Sequence, residues 1–164
     1  MTVVLFSIVL TELFIVAGVD LKIKKISNLW ILLNILLAFS FYIFSPDTHS
    51  LQIEQIYYPL GFIVIGFILF SLDIMGAGDS KYMASLFLIL PYNLHSLFFE
   101  KLLLVTMTVG FFLLLYRVIV NRKEFKAYLM SRHWKGIQAL IKSRFSYAPV
   151  ILLAWILMGV EQWR

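Results

Sequence analysis

An all-α, polytopic membrane fold is predicted by three features of the sequence: its apolarity, the length of its apolar runs and the one-sided placement of its basic residues. Of 164 residues, 62% are hydrophobic and 14% charged, and the mean hydropathy is +0.92. Soluble domains carry roughly half apolar residues and about a quarter charged ones. Runs of roughly 17–25 apolar residues suit a helix that crosses a bilayer, and about six are found here, at 2–19, 29–45, 56–72, 80–94, 97–120 and 146–162. They use nearly the whole length, so residues 1–164 form one membrane-embedded domain, with no fixed-period repeat, linker or low-complexity tract.

The first run, MTVVLFSIVLTELFIVAG, carries Glu12, lacks a basic leading region and ends without a small-x-small cleavage site, so it is expected to be a retained span and not a secretory signal. The second follows Lys22, Lys24 and Lys25, and the third follows SPDTHSLQIEQ, a segment free of lysine and arginine. The fourth is short and contains Lys81, which leaves its start weakly marked. Between the fifth and sixth lies the one long polar segment, 121–145. There Phe125, Leu129, Met130, Trp134, Ile137, Ile141 and Phe145 recur at helical spacing among Arg122, Lys123, Lys126, Arg132, Lys135 and Lys142. That pattern predicts a basic helix lying in the headgroup layer.

Basic residues of short loops stay on the cytoplasmic side. With six alternating spans, twelve of the 14 lysines and arginines fall on one face, leaving Lys101 and Arg164 opposite. The N-terminus is therefore expected outside, with loops 20–28, 72–81 and 117–145 in the cytoplasm. A net charge of +5 gathered in this way is a topology signal, and no nucleic-acid partner is needed to explain it.

The chain has no cysteine, which removes disulfides, thiolate metal sites and cysteine nucleophiles. His49, His95 and His133 stand in three different loops without metal-ligand spacing, so neither a metal nor another cofactor is expected.

Acidic side chains at a bilayer are costly and call for a function. Asp20 closes the first span in VAGVDLKIKKISN and Asp79 opens the fourth in GAGDSK, both at the expected cytoplasmic boundary. Two carboxylates held close together share a proton. Such a pair hydrolyses an amide: the ionised member takes a proton from the attacking water while the protonated member donates to the carbonyl oxygen or leaving nitrogen. Gly76 and Gly78 add a flexible turn that lets a substrate strand or a neighbouring helix approach the backbone.

These motifs resemble those of the type IV prepilin peptidases, membrane aspartic peptidases of the G-x-G-D class. The motif G-x-G-D-x-K is matched by Gly76, Gly78, Asp79 and Lys81, and the motif D-x-[KR]-x-x-x-I-P-N by Asp20, Lys22, Ile26 and Asn28. Ser27 replaces the usual proline, which is expected to loosen the turn into the second span. FSYAPVILLA (145–154) is similar to the entry of the family's last span, where Pro149 is typical. The resemblance implies Asp20 and Asp79 as the catalytic pair, Gly76 and Gly78 as the turn, and Lys22, Asn28 and Lys81 as supporting residues. It also implies a substrate, the pilin-like precursor with a short basic leader cut on the cytoplasmic side of an inner membrane. Larger members carry a cysteine-rich insert linked to N-methylation. Without cysteines, this chain is similar to the short forms associated with Flp or tight-adherence pili, or to the archaeal preflagellin peptidases.

Two other functions fit parts of the pattern. Glu12, Asp20, Asp73 and Asp79 could line the path of an ion-coupled transporter, though three of the four gather at one boundary and not at the midplane. A non-catalytic pilus-assembly subunit would keep the fold but has no need of both aspartates. Asp73 is the rival for a catalytic place. Glu12, about two helical turns from Asp20 on a similar side of the first span, is expected to face the bundle interior.

Overall fold

The structure, a computed structural model, describes residues 3–44, 53–71, 75–122 and 146–164. Among them, six α-helices follow one another: α1 (Val3–Ile23), α2 (Asn28–Phe44), α3 (Glu54–Ser71), α4 (Ala77–Ile89), α5 (His95–Val120) and α6 (Ala148–Gln162), with a 3₁₀ turn at Tyr92–Leu94 leading into α5. Each apolar run of the sequence carries one of these helices. The interfacial helix expected over 121–145 lies, from residue 123 onward, outside the described residues.

The expected six spans are only partly met. Three helical stretches, Val3–Ile23, Glu54–Ser71 and Tyr92–Val120, are long and apolar enough to cross a membrane, while α2 and α6 are shorter apolar helices. The 13 residues of α4 rise roughly 20 Å, against a hydrocarbon core of about 30 Å. The physical reason lies in local breaks that hydropathy does not register. Gly76 precedes α4 as its N-cap residue, in extended conformation (φ −72°, ψ 140°). At the other end Leu90 is extended (φ −77°, ψ 134°) because it precedes Pro91, whose ring disfavours helical angles in the residue before it.

Although short, α4 is the core of its half of the bundle. Ser80, Tyr82, Met83, Ala84, Ser85, Leu86, Phe87 and Ile89 are all buried, and a helix without an exposed stripe must be enclosed by neighbours. It packs between α2 and α3, while α6 packs between α1 and α5. Aromatic rings join the two triads: Phe87 of α4, Phe98 of α5 and Trp155 of α6 stand ring to ring at centroid separations of 5.2 and 5.5 Å. The outer faces are hydrocarbon. Phe39, Phe67 and Phe112 are 66%, 70% and 63% exposed, a surface suited to lipid and unfavourable in water.

In lipid, helix association depends on close packing and on satisfied polar groups rather than on hydrophobic exclusion. Small residues supply the first: Gly66 of α3 lies directly against the Ser80 side chain, and Gly159 of α6 against the Phe6 ring. Two polar contacts supply the second. Lys101 of α5 pairs with Glu161 of α6. At the end of α4, carbonyls left without helical partners are taken up by Gln55, whose Nε2 donates to Phe87 O at 3.1 Å and Leu90 O at 2.7 Å. His95 Nε2 lies 2.9 Å from the same Leu90 oxygen.

Candidate active site

Asp20 stands in the last turn of α1, and its side chain is 2% exposed to solvent. The helix ends through Lys24, whose left-handed backbone (φ 53°) lets its N–H bond the Asp20 carbonyl at 2.8 Å. That carbonyl also accepts from Ser146 Oγ at 3.1 Å. The carboxylate points across the bundle, where Oδ2 accepts from the Ala148 N–H at 3.1 Å. Ala148 is the first residue of α6, so Asp20 sits at the positive end of that helix. Among the described residues it forms no ion pair with Lys24 or Lys25.

Asp79 is the third residue of α4. Its N–H donates to Gly76 O at 3.1 Å, and its Oδ2 accepts from the Gly76 N–H at 3.3 Å. The carboxylate thus closes the first turn of its own helix while remaining half-buried. It precedes the apolar run 80–94. Burial, and then the charge of Asp20, push the Asp79 carboxyl from 3.8 up to about 6, against the Gly76 hydrogen bond, which acts the other way. The Asp20 charge is the smaller of the two upward causes, and it acts because the two carboxylates lie within electrostatic range of one another. Asp20 joins the end of α1 to the start of α6, and Gly78 sets the start of α4 against Ile26 in the loop that follows α1, so these three helix ends gather on one side of the bundle.

Of the two properties expected of the glycines, open backbone angles and close approach, the geometry at Gly76 and Gly78 shows close approach. Neither takes a left-handed angle. A Cβ at Gly76 would stand 3.0 Å from Asp79 Oδ2, and one at Gly78 would stand 3.1 Å from Ile26 O. Both glycines therefore serve close approach within the protein. Gly78 in particular packs α4 against the α1–α2 loop, so that the second motif touches Ile26 of the first.

Ser27 also departs from expectation. Its Oγ accepts from the Leu29 N–H at 3.3 Å and its carbonyl from Trp30 N–H at 3.2 Å, so it serves as the N-cap of α2 and fastens the turn that loss of proline was expected to loosen. Lys22, Asn28 and Lys81 are exposed, and neither lysine pairs with an aspartate among the described residues. These three lie near the site without joining it. Asp73 lies outside the described residues.

Several contributors were not singled out as site residues, although three of them lie in the stretch FSYAPVILLA (145–154). Ser146 and Ala148 hold Asp20 from more than 120 positions away. Tyr147, whose hydroxyl is 2.7 Å from Thr106 Oγ1, lies within range of the Asp79 charge. A cavity of about 220 Å³ between α3 and α5, lined by Tyr57, Tyr58, Gly61, Phe62, Ile65 and Phe99, includes no residue of the aspartate site. No group of three or more histidine, cysteine or acidic residues suited to a metal ion occurs among the described residues. No protein-family model, curated protein or solved structure matches the chain.

Proposed function

We propose that this chain is a membrane aspartic endopeptidase of the prepilin-peptidase type. In this reading six helices cross or line an inner (plasma) membrane, the N-terminus is outside, and the site opens to the cytoplasm. What supports it is the gathering of Asp20 and Asp79 where the end of α1 comes against the starts of α6 and α4, with burial first and the Asp20 charge second raising the proton affinity of Asp79.

The chemistry follows from the two surroundings. Asp79 retains a proton up to about pH 6 and serves as the acid. Asp20, held in place by the Ala148 N–H, serves as the base. Water adds to the scissile carbonyl carbon as Asp20 takes one of its protons and Asp79 protonates the carbonyl oxygen. Collapse of the tetrahedral species then breaks the C–N bond, with Asp20 giving its proton to the leaving nitrogen and Asp79 recovering its own from a hydroxyl of the tetrahedral species. Asp79 is the more open of the pair, so the peptide reaches Asp20 past Asp79.

The substrate in this reading is a pilin-like precursor: a short basic leader in the cytoplasm followed by an apolar helix in the bilayer. The apolar outer faces of the bundle suit a substrate that approaches within the membrane. Purified protein incubated in liposomes with a Flp-type prepilin is expected to release the leader, with the new N-terminus identified by sequencing. Intact precursor after incubation with both Flp-type and preflagellin-type substrates would overturn the proposal.

A further inference from the structure

Glu12, eight residues before Asp20 on α1, is buried at 5% exposure where α1, α2 and α4 meet. Its Oε1 accepts from the Tyr82 hydroxyl at 3.0 Å. The Asn34 amide lies against both carboxyl oxygens, at 3.0 and 2.7 Å. The far end of that amide is 3.1 Å from Ser85 Oγ, and Ser85 Oγ donates to the Tyr82 carbonyl at 2.7 Å. Tyr82, Asn34 and Ser85 are each at most 2% exposed. A buried polar cluster of this kind stabilises a fold only when every member is satisfied.

The arrangement of donors shows how that happens. If the Asn34 nitrogen faces Glu12, it donates to both carboxyl oxygens while the Ser85 hydroxyl turns to the Asn34 oxygen, and the cluster is satisfied. If the Asn34 oxygen instead faces a neutral, donating group at position 12, the ring closes as well, so the cluster needs hydrogen-bonding shape at position 12 and not a charge. Position 12 then donates to Asn34, Asn34 to Ser85, Ser85 to the Tyr82 carbonyl, and the Tyr82 hydroxyl back to position 12. Tyr82 stands three residues after Asp79, so the cluster fastens α1 to α4 within about two or three turns of both aspartates.

We propose that Glu12 is a positioning residue for the Asp20–Asp79 pair, acting through its hydrogen-bonding shape and not through its charge. The use made of the pair rests on the peptidase reading; the positioning itself does not. The chain is free of cysteine, so one engineered pair, carried by every variant alike because a Cβ at position 78 also crowds Ile26 O at 3.1 Å, reports on the relative placement of α4 and the α1–α2 loop. A Cβ at position 78 stands 3.8 Å from Ile26 Cβ, the separation typical of a disulfide. The experiment compares E12Q, E12L and Y82F in the full chain, first by the rate of Ile26→Cys/Gly78→Cys cross-linking in membranes, then by precursor cleavage without the cysteine pair.

E12Q, which can reproduce the closed ring, is expected to cross-link and cut like wild type with a superimposable pH profile. E12L is expected to cross-link about tenfold more slowly and to lose on the order of 100-fold in kcat at unchanged KM, the scale set by misplacing a catalytic group by about 1 Å. Y82F, the smallest change in volume, is expected to move both readouts in the same direction by about tenfold, and it decides the matter if E12L fails to accumulate. The proposal is overturned if E12Q cross-links normally but no longer cuts or shifts its pH profile, since the ionisation of Glu12 would then be in use. It is also overturned if E12L and Y82F match wild type in cross-linking. Should wild type cut no precursor, the peptidase reading fails, and cross-linking still decides on Glu12.

Discussion

Replacing Gly66 by alanine probes the packing that places Asp79. A methyl group at that position runs into Ser80 Oγ and Cβ, with Ser80 Cα 3.5 Å away. Because Cβ is fixed to the backbone, turning the hydroxyl cannot clear it, and α3 and α4 must separate. Overpacking of this kind costs roughly 1–3 kcal/mol, while alanine in a helix interior gains about 1 kcal/mol over glycine. Gly61 on the same helix supplies the control, since a Cβ there meets nothing within 4 Å. G61A therefore keeps the gain without the clash, and G66A is expected to be less stable than G61A by about 1–3 kcal/mol. Reversible unfolding of the detergent-solubilised protein in SDS measures that difference. Ser80 adjoins Asp79, so G66A is also expected to slow precursor cleavage by on the order of tenfold or more. Adding S80G, which removes both obstructing atoms, restores cleavage. Equal stability and activity of G66A and G61A would refute the close approach of α3 and α4 from which the effect is derived.

Other consequences concern the aspartates and the end of α1. The alkaline limb of kcat/KM, which reports the free enzyme, is expected near pH 6, where Asp79 loses its proton; a limb well above neutrality would contradict the assignment of Asp79 as acid. Ionised Asp79 costs more in the folded chain than in the unfolded one, whose carboxyl titrates at 3.8. Stability should thus fall as pH rises from about 4 through about 6 and then level, and D79N should melt higher than wild type above that range while matching it below. D20N is expected to abolish cleavage and keep the fold, because the amide oxygen still accepts from Ala148. D20A strands that N–H and should cost a further ~1–3 kcal/mol on unfolding. K24G removes a side chain from a left-handed position and is expected to stabilise by about 1 kcal/mol, measurable in the same SDS titration.

The helices and the two aspartates were legible in the sequence because hydropathy and the spacing of Asp20, Gly76, Gly78 and Asp79 are local properties. The burial of Glu12 was legible too, since a carboxylate within an apolar run has few other places to go. Its partners were not. Asn34, Tyr82 and Ser85 come from two other helices, and each looks like an isolated polar residue in an apolar run until packing brings them together. Helix length was obscured for a different reason: an apolar run continues through Leu90 and Pro91, but the helix cannot. The roles of Gly66 and Gly78 depend on which element lies opposite, Ser80 in one case and Ile26 in the other, and spacing alone does not name a neighbour. Likewise Lys101, the interior lysine on the outer face of the charge pattern, has its explanation in Glu161, 60 residues away and one helix across.

Cleavage of a co-expressed Flp-type prepilin by wild type, Asp20→Asn and Asp79→Asn, at matched expression and with the product sequenced from its N-terminus, tests the paired-aspartate site most directly. The account predicts a cut at the end of the basic leader by wild type and intact precursor with either variant. Cutting at the wild-type rate by either variant would contradict it.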